Sequence, residues 1–212
     1  MRLTDQDKSA IEDAVKKAER ETSGEIVFAV SEASGRYRHA ILHLCLAAMV
    51  AGSAGYLLAP VPHKIGILLW VQLISFTVIY AIAPFVSWSR WFIPDKEMEQ
   101  RVHEAAFREF YASGLYRTRE SNGVLIYLSN FERRVVVIAD KGIHERMGTT
   151  HWNGVRDRII QGIRLGQARE GICAAVGECG RGLSEHFPIR ADDANELPDR
   201  VIDRTARPLT DR

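Results

Sequence analysis

Two long uncharged runs dominate the hydrophobic pattern. From Arg38 to Lys64, and again from Lys64 to Arg90, no Asp, Glu, Lys or Arg intervenes. An α-helix rises about 1.5 Å per residue, so roughly 20 apolar residues cross about 30 Å of hydrocarbon. The runs at 40–59 and 65–86 reach that length, and the two-proline stretch "APVPHK" (59–64) between them predicts the tip of a transmembrane hairpin. Gly52, Ser53 and Gly55 suit close helix contact in lipid, and Trp88 and Trp91 fall where headgroups are expected. Arg36, Arg38, Arg90, Lys96 and Arg101 flank the outer ends, against Lys64 alone in the turn. The positive-inside rule then puts both adjoining segments, and both termini, on the cytoplasmic side of an inner membrane. The polar opening "MRLTDQDKSA" has no apolar core of the kind a signal peptide needs.

Outside the hairpin the period changes. Residues 4–22 predict an amphipathic helix, with Thr4 at the cap, Asp7 three later, and Ile11, Ala14, Val15 and Ala18 on one stripe. "GEIVFAV" reads as a strand. "PDKEMEQRVHEAAFREFYASG" is helical, with Met98, Val102, Ala105, Ala106 and Phe110 on one face and Gly114 at the stop. "NGVLIYLS" and "RVVVIAD", joined by "NFER", predict a β-hairpin. "THWNGVRDRIIQGI" and "EGICAAVGECGRGLSEHF" predict two more helices, and from Pro188 the chain reads as a polar tail. One strand and one helix cannot make a core, so the pieces on either side of the hairpin are expected to complete one α/β sandwich. The expected divisions are 1–38, the hairpin at 39–90, 91–188 and a tail at 189–212.

Composition changes this picture little. Mean hydropathy is −0.13 and 46% of residues are hydrophobic, an average over an apolar hairpin and strongly charged flanks. A net charge of +1 argues against a broad nucleic-acid surface. Cys45, Cys173 and Cys179 cannot all pair, and at helical spacing the last two read as small buried apolar residues.

The segments "TSGEIVFAV" and "LYRTRESNGVLIYLSNFERRVVVIADKGI", followed by paired helices, resemble the TPM domain family. In particular they resemble the uncharacterised bacterial membrane proteins in which a two-span hairpin interrupts the domain and "NELPD" closes it. The resemblance covers residues 4–200. It implies a mixed sheet sandwiched between helices, and a family whose roles include acid phosphatase activity and calcium binding in plant members, photosystem repair, and receptor modulation. Those members usually place the domain outside the cytoplasm, whereas the charge bias here places it inside.

For chemistry, strand ends are the place to look. Glu32, Asn130 and Asp140 follow the three strands and would supply hard oxygen ligands to a divalent cation, Ca²⁺ or Mg²⁺, if strand direction brings them together. Otherwise Asn130 shapes its turn, and Asp140 with Lys141 and Gly142 opens the next loop. Arg117 and Arg119 would hold a phosphate or a partner. His144 and Glu145 lack the second histidine of a zinc-protease helix, since position 148 is Gly148. No P-loop, nucleophile elbow or Asp-x-Asp follows a strand. Two functions are therefore expected: a membrane-anchored binding or assembly-support module for other membrane proteins or copies of itself, or a membrane-tethered, divalent-metal-dependent phosphatase. Whether the chain is an enzyme is left open by its motifs.

Overall fold

The computed structural model describes residues 3–83, 87–189 and 195–205; the end of the second expected span (84–86), part of the expected tail, and the side chains of His144 and Glu145 lie outside the described residues. The chain divides into two units, one made of residues up to Ser34 and from Glu99 onward, the other of Gly35–Met98.

In the first unit, α1 (Asp5–Glu19) starts at a capping box in which Thr4 and Asp7 satisfy each other's backbone N–H groups. The sheet has the order β3-β2-β1-β4, from β1 (Glu25–Ser31), β2 (Gly123–Ser129), β3 (Arg134–Ala139) and β4 (Ile202–Arg204). Residues on either side of the insertion join here: β1 pairs in parallel with β2 from Glu25↔Gly123 to Ser31↔Ser129. β2 and β3 form the expected antiparallel hairpin, whose turn ends on Arg133 in the left-handed region at φ 53°. The mixed sheet flanked by helices is the fold class that the resemblance implies.

β1 and β2 are buried along their whole length, which explains their unbroken apolar runs. Alternate residues still separate two cores. Ile26, Phe28, Val30, Val124, Ile126 and Leu128 face α1 together with α5 (Lys141–Arg164) and α6 (Ala168–His186). Val27, Ala29, Leu125 and Tyr127 face α4 (Asp95–Ala112) through Val102, Ala106 and Phe110. Glycines allow the tightest helix contacts: a Cβ on Gly162 would lie 2.6 Å from the Gly171 Cα, and one on Gly180 would lie 2.6 Å from the Ala18 Cβ. Cys179 is buried among the helices, as its spacing predicts, and burial pushes its thiol pKa up.

Two local readings change. Lys141 and Gly142 do not open a loop; Asp140 caps α5, its Oδ1 accepting the Lys141 N–H at 2.6 Å, and the helix starts at once. Part of the polar segment after Pro188 is joined to the domain: Ile202, Asp203 and Arg204 form β4, parallel to Ala29, Val30 and Ser31. A three-residue strand carries too little hydrophobic pattern to be seen locally, and it exists because the edge of β1 is there to pair with.

The second unit holds α2 (Arg38–Leu58) and α3 (Ile65–Ile82), each long and apolar enough to cross a membrane. α3 has no buried residue, and Leu58, Ile65 and Trp70 are more than half exposed. In water such surface is strongly unfavourable, and in hydrocarbon it is not. A Cβ on Gly52 would come within 2.8 Å of the Ser75 Oγ, the close approach expected of small residues between packed helices. In the turn, the Tyr56 hydroxyl accepts the Lys64 N–H at 2.7 Å and closes the bend.

Candidate functional site

The sheet has two chemically distinct ends. At the carboxyl ends of β1 and β2, Asn130 and Phe131 donate backbone N–H groups to the carbonyls of Ser31 and Glu32. The Asn130 Nδ2 reaches the Glu32 Oε2 at 3.4 Å. Behind them lies a buried polar network that strand-end reasoning missed. Glu132 has no exposed surface; it accepts from the Ser129 hydroxyl and, at 2.9 Å, from the Ser34 N–H. The Ser34 Oγ bonds the Ser129 Oγ at 2.8 Å and lies 3.2 Å from the Tyr127 hydroxyl. A glutamate three residues after a strand-end serine was its only trace in the sequence.

Asp140 lies at the opposite end. β3 runs antiparallel, so Ala139 pairs with Val124 while Arg134 pairs with Ser129, and the Asp140 N–H donates to Gly123. At about 3.4 Å per residue, the length of the strand, roughly 20 Å, separates Asp140 from Glu32 and Asn130. The structure brings two of the three expected ligands together and leaves the third apart. Among the described residues no group of three or more His, Cys, Asp or Glu is arranged to hold a metal ion.

Arg117, at the end of a 3-10 turn (Leu115–Arg117), and Arg119, on the loop before β2, share the Asp140 end, and both are exposed. The Arg117 Nε donates to the Tyr116 hydroxyl at 2.7 Å, with the guanidinium 5.2 Å from that ring's centre. Tyr116 in turn lies 5.3 Å from Tyr111, and both rings are substantially exposed, making an aromatic and cationic surface patch. The Arg119 backbone N–H donates to Glu196 at 3.2 Å.

At the same end is a second acidic group. A cavity of about 360 Å³ is lined by Lys16, Glu19, Arg20, Glu25, Asn195 and Asp199, among others. Glu25 is buried, which raises its pKa; the N–H of Glu196 donates to its Oε1 at 2.9 Å and opposes the rise. Sequence spacing could not have found this group, since it joins positions more than 170 apart.

Residues 92–181 match the TPM domain. The NMR structure of the BA42 protein from the psychrophilic bacterium Bizionia argentinensis is similar at a TM-score of 0.59 and 21% sequence identity, over 96% of this chain and 96% of that one. At that identity the likeness shows a shared fold. No curated protein matches.

Proposed function

We propose that this chain, which carries a TPM domain, is a membrane-anchored binding or assembly-support module for other membrane proteins. The observation that carries the reading is the pairing of two exposed apolar helices, inserted after Ser34, with a domain that presents Tyr111, Tyr116 and Arg117 to solvent. Exposed aromatic and arginine groups are the residue types that dominate protein contacts. The basic flanks of the hairpin favour a multi-pass arrangement in the cell membrane, with the domain and both termini in the cytoplasm.

A second reading, a divalent-metal-dependent phosphatase, draws on Glu32 and Asn130 meeting at the carboxyl ends of two parallel strands, where ligands collect in α/β sheets. Asp140 would have no part in that metal site. One experiment separates the two readings. A photo-crosslinking residue at position 111 or 116, in intact membranes, is expected to capture a defined membrane protein, and Arg117→Glu to abolish capture. Phosphate-ester hydrolysis by the reconstituted chain, stimulated by Ca²⁺ or Mg²⁺ and lost in Glu32→Gln with no crosslink formed, would overturn the first reading in favour of the second.

A further inference from the structure

Segment 195–205 is held to the domain by apolar packing of Leu197, Val201 and Ile202 and by a few polar contacts. The Val201 N–H donates to the Glu12 Oε1 at 3.0 Å, Lys8 pairs with Asp203 at 2.7 Å, and Arg204 pairs with Glu109 at 3.0 Å. β4 covers only Ala29–Ser31 of the β1 edge. Where it does not reach, a side chain takes over: the Glu19 Oε1 accepts the Ile26 N–H at 2.8 Å. The other oxygen of that carboxyl, Oε2, is buried and has no hydrogen-bond partner among the described residues.

The surroundings of Glu19 are unfavourable to a negative charge. Glu25 from β1 and Asp199 from the docked segment line the same cavity, and the Asn195 Nδ2 holds Asp199 in place at 2.6 Å. Glu196 lies beside Glu25. From α1, Lys16 and Arg20 line the cavity as exposed side chains, and from α6 the buried Cys179 thiol faces Glu19. Three carboxylates drawn together by docking repel one another unless a proton remains among them.

We propose that segment 195–205 is a pH-sensitive latch, closed on α1 and β1 while Glu19, facing Glu25 and the docked Asp199, keeps its proton and opened when that proton leaves. Opening removes β4 and frees the outer edge of β1 at Ala29–Ser31, a row of backbone groups able to accept another extended segment. Burial, joined by the Glu25 and Asp199 carboxylates, pushes the Glu19 carboxyl up to about 9 against the pull of the Ile26 N–H, from an ordinary value of 4.5. The direction of the switch follows. A carboxyl raised in the closed form stabilises closure at low pH, where it is protonated, and that stabilisation is lost as pH rises toward 9.

Hydrogen exchange of the full chain in lipid nanodiscs, from pH 5 to 9 and corrected for intrinsic exchange rates, tests this. Opening of 195–205, together with the Val30 amide, is expected to grow by up to about tenfold per pH unit across that window. Glu19→Gln keeps an acceptor for Ile26 and presents a neutral group to Asp199, so its slope is expected to fall well below that of the wild type, with Glu25 left as the remaining raised carboxyl. The β2–β3 amides serve as the folding control. Should Glu19→Gln disturb them, Asp199→Asn decides, with an expected weakening of the slope. A flat wild-type profile, or a variant with intact β2–β3 protection and the wild-type slope, would overturn the proposal.

Discussion

The Ser34 amide donates to the Glu132 Oε1 at 2.9 Å, joining the last residue before the apolar insertion to the β2–β3 turn, 98 positions further on. Glu132 is fully buried and also accepts from Ser129. Removing the carboxylate in Glu132→Ala takes the acceptor from the buried Ser129 hydroxyl and the half-buried Ser34 N–H, with an expected loss of about 2–4 kcal/mol. Glu132→Gln, which keeps an acceptor oxygen, is expected to lose about half as much. Thermal unfolding followed by circular dichroism, in detergent, measures both.

The crossing of α5 and α6 depends on hydrogen at two positions. Since a Cβ on Gly162 would meet the Gly171 Cα at 2.6 Å, backbone against backbone, no rotamer change relieves it. Gly162→Ala is expected to destabilise the domain by about 1–3 kcal/mol, despite alanine's better helix propensity. Gly166→Ala in the next turn separates the causes. Space is open there but φ is +73°, so any loss comes from backbone strain.

Acid should open the docked segment from the other side. Burial works against ionised Asp203, but hydrogen bonds from Lys8 and Thr205 outweigh it and hold the carboxyl down to about 2, from 3.8. A lowered carboxyl stabilises docking above its released value, and that contribution is lost as pH falls from about 4 through about 2. Pepsin, active in this range, is expected to cut within 195–205 increasingly as pH drops. Asp203→Asn should be cut at pH 4 as readily as wild type is at lower pH.

The apolar faces of α2 and α3 predict their own test. Leu73, near the middle of α3 and 54% exposed, would carry a charge into hydrocarbon as Leu73→Arg. The expected penalty to insertion is about 3 kcal/mol, read as loss of membrane-fraction protein in a translocation reporter assay. Unchanged insertion would argue against a span at 65–82.

Where the pattern is local, the amino-acid sequence determined the answer alone. The uncharged runs of α2 and α3, the Thr4–Asp7 capping box and the β2–β3 hairpin are each written in neighbouring residues, and in the helical stripe holding Ile172, Val176, Cys179 and Leu183 burial follows the helical period. Tertiary structure decided whatever depends on strand direction or on pairing across long loops. The antiparallel course of β3 carries Asp140 away from Glu32 and Asn130. The exposed edge of β1 converts three residues of a polar stretch into β4, and docking of that stretch brings Asp199 to Glu19 and Glu25. Ser34 meets Glu132 because parallel pairing of β1 with β2 aligns their carboxyl ends. Such groups have no sequence spacing of their own, since the chain between them is free to be any length that lets the strands pair.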